Sequence, residues 1–315
     1  FKAGIIMTKY IIRRFIGLFP TILVIITISF FIIRAAPGGP FDSEKTLPKQ
    51  IQENIEKKYH LDEPVIKQYA RYMLSIIRGD LGPSYRYKDQ DVNYYIAKSI
   101  PNSLFLGAIS MIIAVVFGIT AGMISALRQN TWIDYLSMSV AVIGITIPLF
   151  VTGPVLVYFF AMKLNWFPTS GWITGRYGWT TLVLPVITLS FNNFAYIARL
   201  TRASILEILR SDFIRTARAK GLKTSVILFR HVLKGAMLPV VSYLGPAFSA
   251  VLTGSVVVET IFRVPGMGKF FIQSALNRDY TLILGTVIVY SVILVIMNFI
   301  VDIVYAYLDP RISYK

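Results

Sequence analysis

Nine consecutive residues carry the chain's most suggestive chemistry: Phe213-Ile214-Arg215-Thr216-Ala217-Arg218-Ala219-Lys220-Gly221. With Arg210 just before them, Arg215, Arg218 and Lys220 offer charge to an acidic groove or to anionic lipid. Ala217 and Ala219 are small, as a surface that must be approached closely requires. A solvated basic loop would show the same charge, so both readings stand at this point. Elsewhere the groups for bond-making chemistry are sparse. The chain has no Cys and only two His, His60 and His231, far apart in sequence. Thiol nucleophiles, disulfides and zinc-thiolate sites are excluded, and a His-based metal site is disfavoured. A phosphate cradle of the Gly-x4-Gly-Lys-[Ser/Thr] kind is missing. The one Gly-Lys pair, Gly268-Lys269, is followed by Phe270 and has Arg263 where the first Gly should stand. We therefore expect no catalytic residue, no metal and no cofactor of the chain's own.

The elements that hold the basic stretch follow from composition. Of 315 residues, 55% are hydrophobic and 15% charged, against about 25% charged in a soluble domain. Mean hydropathy is +0.62. Six stretches lack Asp, Glu, Lys, Arg and His altogether: 15–33, 104–127, 135–162, 177–198, 235–258 and 280–301. A hydrocarbon core about 30 Å thick needs roughly 20 apolar helical residues, and backbone polar groups in lipid must be satisfied within the segment. The runs predict six transmembrane helices in an all-α integral membrane protein. The first exceeds a signal-peptide apolar region and lacks a small-x-small site after it, so we read it as a retained span. Met7 could be the natural start, leaving residues 1–6 as an extension.

Six spans put both ends on one side. That side holds residues 1–14, 128–134, 199–234 and 308–315, with 16 Lys/Arg and 4 acids. The other holds 34–103, 163–176 and 259–279, with 16 Lys/Arg but 11 acids. The positive-inside rule counts short loops, so both termini are expected in the cytoplasm. The organisation is then an N-terminal segment 1–14 and one transmembrane domain over 15–315, with an outer loop 34–103 and a cytoplasmic loop 199–234. All four Trp (Trp132, Trp166, Trp172 and Trp179) lie near span ends and read as interfacial anchors.

Within the outer loop, 47–59 and 64–77 read as short amphipathic helices, Pro64 suiting a first helical position. Gly79-Asp80-Leu81-Gly82-Pro83 signals a turn, and 266–279 reads as another short helix. In the cytoplasmic loop Ile205, Ile208, Leu209 and Phe213 recur at helical spacing. Ser211 or Asp212 can cap a short helix over 213–220, which Gly221 would end as its C′ residue. Thr224 or Ser225 can cap the next. The pattern is helix, short crossing helix, helix.

The stretch 213–221, followed by Leu238-Pro239, resembles the loop that marks binding-protein-dependent ABC importer permeases: Glu-Ala-Ala-x-x-x-Gly, then an apolar-Pro pair. Arg215, Thr216 and Ala217 occupy the Glu-Ala-Ala positions, a variant similar to that of the peptide and nickel branch. Further matches run in order: Tyr10-Ile11-Ile12-Arg13-Arg14, Ala36-Pro37-Gly38, Gly79-Asp80-Leu81-Gly82, Val258-Glu259-Thr260-Ile261-Phe262 into Pro265-Gly266-Met267-Gly268, Asn277-Arg278-Asp279-Tyr280, and Val301-Asp302 through Asp309-Pro310-Arg311. The resemblance covers nearly the whole chain from Met7. It implies a type I importer permease fold in a bacterial inner membrane. The chain would form a path for oligopeptides with a second permease, served by a peptide-binding protein and two ATPase subunits that bind the ATP. It also implies that 213–221 is a coupling helix seated in an ATPase groove. Dipeptide, murein-peptide or nickel carriage belongs to the same branch.

The rival from a different class is an ion-coupled secondary transporter, which places ionisable groups inside the membrane. Glu259 and Asp302 each stand one residue past a run and read as interface anchors or helix-end hydrogen-bond acceptors. Asn192, Asn193 and Asn298 read as helix–helix glue ahead of substrate contacts. Pro20, Pro148, Pro154, Pro185, Pro239 and Pro246 could kink the spans. Gly107, Gly118, Gly122, Gly245 and Gly254 would let helices approach closely.

Overall fold

A computed structural model describes residues 2–36, 57, 59–87 and 90–308. Among the described residues the backbone is helical apart from turns and one isolated bridge, Pro83 to Asp91. In chain order the helices are α1 (Lys2–Ala35), α2 (Val65–Ile77), α3 (Val92–Leu127), α4 (Trp132–Thr146) and α5 (Leu149–Leu156). Then come α6 (Val183–Leu209), α7 (Asp212–Ala219), α8 (Thr224–Val226), α9 (Leu233–Phe262), α10 (Gly268–Leu276) and α11 (Tyr280–Leu308). Among the described residues five helical segments are long and apolar enough to cross a membrane, and the count reaches six when the bent pair Trp132–Thr146 and Leu149–Lys163 is taken as one broken span. The helix expected over 47–59 lies almost wholly outside the described residues, as do Pro37-Gly38 and Asp309-Pro310-Arg311.

Three elements depart from the sequence reading. Residues 135–162 are not one rod: α4 and the segment Leu149–Lys163 meet at a bend of 111°. The cause is Pro148, which disfavours helical dihedrals in the residue before it. Ile147 is accordingly extended (φ −83°, ψ 122°). The bent pair still crosses the bundle. Its start is bonded to Arg202 on α6, and Gly144 packs on Phe191 and Ala195. Gly153 meets Ile261 and Phe262, at the far end of α9. Beyond α5 the helix relaxes into a π-helical turn, Val157–Lys163. Secondly, α3 begins at Val92, well before residue 104, and carries Pro101 inside it. Thirdly, Trp172 is no interfacial anchor. It lies in the loop after Lys163 and is buried edge-on to Phe105 at 6.3 Å, whereas Trp132, Trp166 and Trp179 are exposed.

The centre of the bundle is α3 against α6. Ser110, Ala114, Gly118, Gly122 and Ala126 recur every four residues on α3 and are all buried. Small side chains at that spacing let two backbones close. A Cβ added at Gly122 would sit 2.4 Å from the Ala198 carbonyl oxygen, and one at Gly118 2.8 Å from Ile197. On the other flank α9 packs on α3, α6 and α11, and α1 lies against α11.

At the end far from α7, buried carboxylates add to an apolar cluster of Val92, Ile96, Met267 and Leu282 as the staple. Asp279 caps α11: its carboxylate accepts the Leu282 N–H at 3.2 Å, the Ser84 hydroxyl at 2.5 Å and the Tyr85 N–H at 3.2 Å. This one buried carboxylate therefore ties the loop 79–87 to the start of a span. Glu259 is equally buried and accepts from Ser255 Oγ at 3.0 Å and from the Gly268 N–H at 2.7 Å. The turn that closes over it needs Gly266, where a Cβ would lie 2.3 Å from the carboxyl carbon. Glu259 is thus a helix-end hydrogen-bond acceptor. Asp302 pairs with Arg14 of α1 at 3.3 Å.

Candidate docking site at the end of α6

α7 is a short crossing helix built by its flanks. The chain leaves α6 at Leu209, and Ser211 turns extended (φ −75°, ψ 154°) as an N-cap residue. Its hydroxyl does not accept from the first turn; it donates back to the Ile208 carbonyl at 2.6 Å. At the other end Gly221 has φ +74°. The Gly221 N–H donates to the Arg218 carbonyl at 2.9 Å, and the Leu222 N–H to the Ala217 carbonyl at 3.4 Å. That pair of bonds is a Schellman ending, which glycine accommodates in the left-handed region. Asp212 in the first turn and Arg218 in the last complement the helix dipole. The helix after it starts at Thr224 with Lys223 as its N-cap residue, so neither Thr224 nor Ser225 caps it.

The rotation of α7 sorts the nine residues. Ile214 and Ala217, three apart, are buried against Ile205, Leu228 and Val232. Ala217 therefore serves the chain's own core, not a partner's approach. The other seven, Phe213, Arg215, Thr216, Arg218, Ala219, Lys220 and Gly221, are exposed. Phe213 is the odd member, a large apolar side chain 54% exposed among cations. Among the described residues Arg215 pairs with Asp212 of its own helix, at 3.4 Å, and both are at the surface. The outward face is thus one aromatic ring flanked by guanidinium and ammonium groups, held on a rigid base.

That base includes a buried ion pair with no local signal in the sequence. Asp134, at the start of α4, is 2% exposed and receives Arg202 of α6 in a two-pronged contact, Nε at 2.6 Å and a terminal nitrogen at 2.7 Å. The Asn130 N–H donates to the same carboxylate at 3.0 Å, and the Ser125 hydroxyl of α3 also donates to it. Three helices are locked together about two turns before α6 ends. The Asn residues inside the spans do similar work. Asn192 donates to the Gly144 carbonyl at 3.1 Å, and Asn193 accepts from the Tyr243 hydroxyl at 2.9 Å. Asn298 lies against Gly245 of α9.

The same architecture and sequence recur in known proteins. Residues 118–314 match the family described as binding-protein-dependent transport system inner membrane component, and residues 7–106 match its N-terminal companion. The chain is 49% identical over 308 residues to the oligopeptide transport system permease protein OppB of Escherichia coli K12, covering 98% of this chain and all of that one. It is 45% identical over 307 residues to the dipeptide transport system permease protein DppB of Bacillus subtilis, covering 98% of each. Among solved structures, an inward-facing form of the MetNI methionine ABC transporter superposes with a TM-score of 0.56 at 18% identity. It covers 69% of this chain and 97% of that one. An amino acid ABC transporter gives 0.53 at 18% identity, over 68% and 94%.

Proposed function

The chain belongs to the binding-protein-dependent transport permeases, and from that membership and the form of α7 we infer how it works. It is the membrane subunit of an ATP-driven peptide importer in a bacterial inner membrane, most like the B-type oligopeptide permease. With a second permease it encloses the peptide path. A binding protein delivers peptide on the side of Asp279 and Glu259, and two ATPase subunits dock beneath α7. Both termini lie in the cytoplasm. The chain holds no cofactor, and ATP is bound and split by its partners. Among the described residues the carboxylates at the span ends are engaged by helix-end or inter-helix bonds, which favours this reading over an ion-coupled carrier.

The observation that carries the reading is the outward face of α7. Phe213 supplies an apolar knob, and Arg215, Arg218 and Lys220 supply charge for an acidic groove rim. Ile214 and Ala217 transmit a push on that face to α6 and α9 through the core beneath. Closure of the ATPase pair would shift the bundle between two states, a two-state element biased by a ligand.

Gly221 tests it. A Cβ there meets nothing within 4 Å, so Gly221→Val strains only the backbone, by about 1–2 kcal/mol. That is too little to unfold the bundle and enough to unwind the end of α7. We expect the assembled importer to insert normally and to keep hydrolysing ATP, while peptide uptake falls at least tenfold. Uptake at the wild-type rate would remove α7 from the coupling path. Orientation is tested separately: a reporter inserted after Asp80 should be active outside, and one after Gly221 inside. The reverse pattern would invert the topology.

A further inference from the structure

Beside α11, the first span leaves a gap that its own packing does not fill. A cleft of about 540 Å³ runs between the two helices, near the ends that carry Arg14 and Asp302. Its floor is Gly17, where an added Cβ would meet nothing within 4 Å. The cleft changes character along its length. Its mouth is charged, with Arg13, Arg14 and Asp302; further in, Leu18, Leu294 and Val295 line it, with the Asn298 amide beside them. Thr21 lies at the deep end, but its hydroxyl is spent on the Gly17 carbonyl at 3.0 Å. The deep end therefore asks for apolar contact.

Among the described residues that line it, the mouth carries two guanidinium groups against one carboxylate. Asp302 faces Arg14 at 3.3 Å, which neutralises one guanidinium and holds it in place. Arg13 is exposed and makes no ion pair among the described residues. Among the described residues the site thus presents a positive mouth above a mostly apolar trough. It also opens at the rim of the bundle. α1 leans on α11, and Ile16, Phe19, Val24 and Ile28 along it are all more than half exposed. That apolar surface beside the cleft suits acyl chains in a membrane.

We propose that this cleft holds an anionic phospholipid, its phosphodiester at Arg13 and Arg14 and the start of one acyl chain over Gly17 between Leu18 and Val295. A phosphate group alone would satisfy the mouth and leave the trough to water. A zwitterionic lipid would fill the trough and place a second cation beside Arg13. The lipid anion answers both ends. Basic pockets between spans on the cytoplasmic side take acidic headgroups for this reason. Bound there, the lipid completes the contact between α1 and α11, so the first span is seated partly by a membrane component.

Native mass spectrometry of the assembled importer, released from nanodiscs of equal phosphatidylglycerol and phosphatidylcholine, reads the site directly. The wild type should retain one phosphatidylglycerol in preference to phosphatidylcholine. Arg13→Gln should lower that preference about fivefold, the equivalent of roughly 1 kcal/mol per basic residue at the surface. Gly17→Phe, which fills the trough, should abolish retention. If Gly17→Phe does not assemble, Arg13→Gln decides alone. The proposal is overturned if both variants retain lipid as the wild type does, or if phosphatidylcholine is retained equally. It is equally overturned if no lipid is retained by the assembled importer, since the second permease then fills the cleft. Displacement of the lipid by inorganic phosphate alone would make the mouth a free-anion site and also overturn it.

Discussion

Asp134→Ala should lower the thermal midpoint of the purified protein by roughly 5 °C or more and loosen α7 with it. The carboxylate is 2% exposed and accepts from Arg202, Ser125 and the Asn130 N–H. Removing it leaves Arg202, whose side chain is 24% exposed, facing a hole. Breaking a buried pair costs about 3–5 kcal/mol because one charge stays uncompensated. Partial access of Arg202 to water argues for the lower end. A loss of about 3 kcal/mol moves the midpoint of a chain of this size by several degrees. The double variant Asp134→Leu with Arg202→Met should recover most of the loss, because no lone charge remains. Thermal unfolding followed by size-exclusion chromatography in detergent measures both. A single variant as stable as wild type, or a double variant no better than the single, would show that Asp134 is not the clamp described. The consequence for transport is specific. Arg202 stands about two turns before the end of α6, which leads directly into α7, so the single variant should lose uptake faster than it loses ATPase activity.

How much of this could be read from residues alone differs between levels. The spans were legible because a bilayer leaves long stretches free of carboxylates, a signal that needs no partner to interpret. The break at Ile147 was half legible. Pro148 is visible, but Pro20, Pro239 and Pro246 lie inside α1 and α9 without ending them. The difference is what packs on each proline's neighbours, which sequence does not state. α7 shows the same boundary. Gly221 marks where it stops, since a left-handed cap is local chemistry, while Ser211 marks its start by an extended backbone and not by a cap bond. They did not fix its rotation. Ala217 and Ala219 look alike in sequence, yet one is core and the other surface, because Ile214 turns toward Leu228 and Val232 and takes Ala217 with it. Trp172 misled for a related reason. Trp at a span end is an anchor by default, and only the fold of the loop onto Phe105 buries it. The Asp134–Arg202 pair was invisible. Its partners are far apart in sequence, and each alone looks like a charge at the edge of an apolar run.

The largest loss is expected at Gly122. Its absent side chain lets α3 and α6 touch backbone to backbone: an added Cβ would lie 2.4 Å from the Ala198 carbonyl oxygen and 2.7 Å from the Thr201 Cβ. Ordinary contact begins at 3.4 Å, so even alanine asks the helices to separate by about 1 Å. Neither neighbour can turn aside, since one is backbone and the other the root of a side chain. Separation would also stretch the Ser125 and Arg202 bonds to Asp134 one turn away, so the two costs couple. Gly122→Ala should cost about 3 kcal/mol, at the top of the overpacking range. Gly122→Leu should leave almost no folded protein in the membrane. Gly107→Ala is the control: it lies on the same helix, with its nearest neighbour, a Val251 methyl, at 3.4 Å. It should accumulate and transport normally. Quantifying folded protein by fluorescence-detected chromatography separates the cases. Equal recovery of the two alanine variants would mean that the α3–α6 contact is looser than these distances state.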